Sequence, residues 1–144
     1  MEPLAFLGDL SPSSEGDLSN WDKKNVRPEP GVYILLSGDG TTFRYPRGES
    51  PVFYIGQAKK LRGRLNGHVK AIRRAKDREK DLYRPLQEYG AAFGAKYLLI
   101  IPASTDIKPK ALEVKVMARF AKMYRSLPVA NSAGAWKEMR TCLS

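Results

Sequence analysis

The chain has 144 residues, 42% of them hydrophobic, enough for one domain with a core of its own. Its formal charge is +10, from 25 Lys and Arg against 15 Asp and Glu, which points to a polyanionic partner, nucleic acid before others. No apolar run approaches the ~20 residues of a membrane span. No basic segment leading into an apolar stretch opens the chain, and a single cysteine, Cys142, excludes an internal disulfide. A cytoplasmic protein without a signal peptide is therefore expected.

Residues 1–29 read as an irregular arm, rich in turn formers at 11–16 and closed to helix by Arg27-Pro28-Glu29-Pro30. Leu4, Phe6, Leu7, Leu10 and Trp21 would pack this arm on a single domain spanning 30–144. Gly31 to Leu36 predicts a first strand, Ser37-Gly38-Asp39-Gly40 a turn, and Pro51 to Gly56 a second strand. The connection between them is long, with an extended stretch at 41–45. Leu61, Leu65, Val69 and Ile72 give one apolar face to a helix over 59–76, its start weakened by Gly63 and Gly67. A short helix is expected over 82–89, and a continuously apolar, central strand over 95–102. A long helix follows over 108–125, and a final turn or short helix at 134–143 carries Trp136 and Met139. The order β-β-α-(α)-β-α predicts an α+β fold.

Charge is concentrated. From Lys59 to Lys80 there are ten Lys and Arg against two acids, more like a phosphate-tracking face than dispersed solubility charge. Lys59, Lys60, Arg62, Arg73 and Arg74 are candidate substrate contacts, joined by Arg44 and Arg47 in the long connection, where a plain exposed loop is the other reading. Arg64 and His68 stand i, i+4 and share a helix face. A guanidinium there holds two phosphate oxygens. The only histidine positions a water, holds phosphate or helps protonate a leaving oxygen. Without other evidence, a surface charge and a packing imidazole would describe these two equally well. Glu113 begins the apolar stripe 113, 117, 120, 124, and a carboxylate there is a candidate metal ligand. A dipole-facing or lysine-paired glutamate is the alternative. One carboxylate, completed by water and substrate oxygens, suits a single magnesium or manganese ion.

Gly31-Val32-Tyr33 and Tyr54-Ile55-Gly56, followed by Arg64, His68, Glu113 and Asn131 at these intervals, resemble the GIY-YIG nuclease superfamily over about residues 30–131. Valine replaces isoleucine in the first motif, and the second matches letter for letter. The connection between the tyrosines is enlarged, and Gln57 stands where the excision-repair branch carries lysine. The resemblance implies a small three-stranded antiparallel sheet flanked by helices, one divalent metal, and endonuclease action on DNA, branched, nicked and single-stranded forms included. It implies Glu113 as metal ligand, Arg64 on phosphate, and a tyrosine as general base. Tyr33 is the first choice for the base and Tyr54 for its partner, with the reverse left open. Asn131 braces the site, and Gly31 and Gly56 are close-approach positions. A non-catalytic nucleic-acid-binding module is the alternative function. A homodimer or a protein partner would supply specificity that so short a chain has little room to encode.

Overall fold

The apolar runs 31–36 and 52–58 pair as an antiparallel hairpin, and the run 96–100 adds to its other side. In the computed structural model, which describes residues 3–78 and 82–131, the elements follow as β1 (Ser14–Asp17), β2 (Gly31–Leu36), β3 (Phe43–Tyr45), β4 (Gly48–Ser50), β5 (Val52–Ala58), α1 (Leu61–Lys76), α2 (Pro85–Phe93), β6 (Lys96–Ile100) and α3 (Pro109–Tyr124). Trp136, Met139 and Cys142, with the turn or helix expected at 134–143, lie outside the described residues, as do Glu79 and Lys80.

The main sheet is antiparallel throughout, in the order β1-β6-β2-β5. It therefore has four strands rather than three. The added one comes from the arm that reads as irregular. Ser14-Glu15-Gly16-Asp17 pairs with β6, Ser14 opposite Leu99 and Asp17 opposite Lys96. Its residues are depleted in strands on average, so local preference gives no warning. Gly16 fits because its missing Cβ leaves room for the Tyr97 ring. β6 is interior, as its continuous apolar character predicts, and β2 is buried along all but its last residue.

The long connection is folded, not loose. β3 and β4 form a separate two-stranded hairpin. Its Tyr45 hydroxyl donates to the Val52 carbonyl at 2.7 Å, and the Arg47 amide donates to the Tyr124 carbonyl at 3.1 Å. Phe43 packs edge-on against Phe53, Tyr89 and Phe93.

α1 buries Leu61, Leu65 and Val69, with Ile72 half-buried, as the apolar spacing predicts. It accommodates Gly63 and Gly67 on a side with no neighbours within 4 Å. α2 starts three residues later than expected. Pro85 occupies its first turn, where a missing N–H is harmless, while Leu82 stays outside the helix and exposed. α3 packs Leu112, Val116, Met117, Phe120 and Tyr124 into the core and contacts both β2 and β5. The arm closes over it, with Phe6 edge-on to Phe120 at 5.1 Å and the Arg119 guanidinium donating to the Leu7 carbonyl. No helix among the described residues is long and apolar enough to cross a membrane.

Candidate active site

The register of the β2–β5 hairpin sets the two tyrosines. Tyr33 lies opposite Gly56, and Leu35 opposite Tyr54. Tyr33 and Tyr54 are thus diagonal neighbours on one face, with rings stacked at 5.9 Å and 26°. Gly56 makes this possible. A Cβ there would lie 2.5 Å from the Tyr33 Cζ and Oη and 2.7 Å from Tyr54 Cε2. Gly31 has a different purpose, since its Cβ would meet the Ile100 carbonyl at 2.7 Å and obstruct strand pairing with β6.

α1 crosses above this face. His68 is turned inward, its Nε2 2.8 Å from the Tyr33 hydroxyl. Arg64, one turn earlier, lies beside it and reaches the Gln57 carbonyl at 3.4 Å. α3 brings Glu113 from the other side, and the chain leaving α3 runs along β5. There the Ala130 amide donates to the Phe53 carbonyl at 2.9 Å. The Ile55 amide donates to Asn131 Oδ1 at 3.1 Å, and Asn131 Nδ2 returns a bond to the Ile55 carbonyl at 2.8 Å. Asn131 is therefore the brace expected of it, acting through the backbone of the strand that carries Tyr54.

These groups border one open cavity of about 570 Å³. Its wall includes Tyr54, Arg64, His68, Glu113 and Asn131. Tyr33 lies beneath it, fully buried, and meets the wall through Tyr54 and His68. The first choice of Tyr33 as the phenol that touches water is thus reversed by position, because only Tyr54 faces the cavity. The remaining candidate contacts lie elsewhere. Arg62 donates to the Val26 carbonyl at 2.6 Å and ties the arm to α1. Lys59, Lys60, Arg73 and Arg74 are exposed along or just before α1. Arg44 and Arg47 sit on the small hairpin at the far end of α3, about 16 Å along the helix from Glu113 by its rise per residue.

No family model, no curated protein and no solved structure matches this chain. What the site can do must therefore be argued from its own groups. Burial raises the Tyr33 phenol well above its ordinary value, and nearby Tyr54 adds to this against the opposing pull of Arg64. Burial raises Tyr54 as well. Its hydrogen bond with Tyr33 opposes that rise, Glu113 reinforces it, and Arg64 and Arg84 oppose it. His68 is pushed down to about 4, by burial first and by Arg64 second. At neutral pH the imidazole is uncharged and can accept from the Tyr33 hydroxyl.

Two cavity residues escape a reading of the sequence. Arg84 precedes α2 and Lys110 lies in the first turn of α3, and both are on the wall. No motif marks either, and only the approach of those helix ends to β5 brings them in. Lys110 Nζ lies 3.1 Å from Glu113 Oε1. Three cations then face one carboxylate, so the cavity favours anions. Among the described residues no cluster of three or more His, Cys, Asp or Glu could hold a metal. The donor set that exists is Glu113, 8% exposed, on the wall of a cavity with room for water and substrate oxygens. That suits a hard, mostly hydrated cation and not zinc.

Proposed function

We propose that the protein is a GIY-YIG-type endonuclease that hydrolyses DNA phosphodiester bonds with one divalent cation, magnesium or manganese, held at Glu113. In this reading β2, β5 and β6 with α1 and α3 are the nuclease core, and β1 and the β3–β4 hairpin are additions to it. One observation carries the proposal. Residues spread from Tyr54 to Asn131 border a single cationic cavity, and Tyr33 is hydrogen-bonded to one of them from below.

Each group has a task that follows from its surroundings. Arg64 receives the phosphate and offsets the charge that develops on it. Tyr54 orients the attacking water, being the phenol on the wall. Tyr33 and His68 form a relay behind it. The Tyr54 and Tyr33 hydroxyls are hydrogen-bonded, and Tyr33 passes a proton on to His68 Nε2 as the water loses its own. The ordinary phenol value is 10.0 and His68 sits at about 4, so this transfer is uphill by roughly 8 kcal/mol or more before substrate arrives. A phosphodiester beside His68 lowers that barrier by favouring the imidazolium. A divalent cation at Glu113 supplies Lewis-acid lowering of a water pKa and neutralises phosphate charge when bound.

Plasmid, branched and single-stranded DNA incubated with and without magnesium test the proposal. Cleavage is expected only with the ion, and Glu113→Gln should bind DNA without cutting it. Equal cleavage by wild type and Glu113→Gln would sink the assignment. The exposed lysines and arginines of α1 favour a second reading, a nucleic-acid-binding module. Tight, salt-sensitive binding with no turnover on any substrate selects it.

A further inference from the structure

We infer that Arg84 is a phosphate-holding residue of this cavity, gripping a backbone phosphate of the strand being cut from the α2 wall while Arg64 acts from α1. The inference rests on the nuclease reading and extends its substrate site to a helix that reading does not use. Position is the first argument. The Arg84 backbone is set by its amide donating to Gln87 Oε1 at 2.9 Å, and Pro85 fixes the start of the helix behind it. Arg84, Pro85, Leu86 and Gln87 together form one wall of the cavity. Availability is the second. Arg84 is exposed, and no ion pair among the described residues engages its guanidinium. Reach is the third. Its charge acts on the Tyr54 hydroxyl in the same sense as that of Arg64, so both guanidinia bear on the spot where a phosphate and a water would meet. A planar fork there suits two oxygens of one phosphate.

The test measures binding in a Glu113→Gln background with magnesium, so that turnover does not interfere. Adding Arg84→Ala should weaken DNA binding about ten- to hundredfold and lower the log–log salt slope by about one. Arg84→Lys should keep the slope and recover part of the affinity. Lys122→Ala, on exposed α3 surface, should change neither. A scan of single methylphosphonates, each neutralising one phosphate, should find a position that weakens Glu113→Gln but has no further effect once Arg84→Ala is present. Unchanged affinity and an unchanged methylphosphonate profile in Arg84→Ala, with an active wild type, overturn this assignment alone. A wild type that cuts no nucleic acid removes the nuclease reading and this inference with it.

Discussion

The Tyr33 hydroxyl and the Nε2 of His68 lie 2.8 Å apart, and burial keeps that imidazole uncharged. A strand and a helix separated by 35 positions in the chain are thereby joined beneath the cavity. The bond has consequences for stability as well as for proton transfer.

The first consequence is a pH dependence. An unfolded chain protonates His68 near 6.5, whereas the folded protein does so near 4. Between those values the unfolded state binds more protons, so stability rises with pH. This contribution is complete above 6.5 and is lost as the pH falls to about 4. Its full span is about 3 kcal/mol. Urea midpoints at pH 4.5 and 6.5 should differ more in the wild type than in His68→Asn. Parallel behaviour of the two would mean that the imidazole is not shielded.

The two phenols should separate in stability though not in activity. Tyr33→Phe leaves His68 without its hydroxyl partner in a buried place, a loss of about 1–2 kcal/mol. Tyr54→Phe, half-buried on the wall, should cost under about 0.5 kcal/mol. Both should lose DNA cleavage by at least about a hundredfold. Denaturant melts beside a nicking assay would show it, and an active Tyr54→Phe would contradict the placing of water.

Lys110 competes with any cation for Glu113, the two being 3.1 Å apart. Lys110→Gln should therefore bind manganese several-fold more tightly in calorimetry, whatever it does to cleavage. Glu113→Gln should bind it far more weakly. Identical isotherms for wild type and Lys110→Gln would show that the ion does not use this carboxylate.

Gly56→Ala sets a methyl group 2.5 Å from the Tyr33 ring and hydroxyl. Overpacking of this kind destabilises by about 1–3 kcal/mol. The ring must also move away from His68, so the pH dependence described above should flatten with it. Stability unchanged at pH 7 would mean that the strands yield more easily than their burial suggests.

Asn131→Ala removes both bonds to the Ile55 backbone. A loss of about 1–3 kcal/mol is expected. Amide exchange at Ile55 should accelerate well before that of Ile34 on the interior strand β2. Protection equal to wild type would remove Asn131 as a brace.

Much of this architecture can be read from residue order. β2, β5 and β6 are apolar runs with β-branched and aromatic residues, and α1 and α3 carry stripes at helical spacing, so their local signals and their burial agree. Arg64 and His68 share a face by helix geometry alone. β1 escapes because Ser-Glu-Gly-Asp has no strand signal of its own and is held by β6. The start of α2 depends on Pro85 and not on the apolar Leu82, and the β3–β4 hairpin depends on Phe43 and Tyr45 finding aromatic partners. The site is legible to the same degree. Spacing gathers Tyr54, Arg64, His68, Glu113 and Asn131 as candidates. It says nothing of the complete burial of Tyr33, or of Arg84 and Lys110, which enter through the packing of whole helices.

The exit of α3 closes one border of the sheet, since Ala130 and Asn131 occupy backbone groups on the outer side of β5. A neighbouring molecule cannot add its own strand there without first peeling that segment away. Among the described residues, strand-by-strand growth into a dimer or a fibre is therefore left the Ser14–Asp17 side, and the tyrosine-bearing end of the molecule is shielded from self-association.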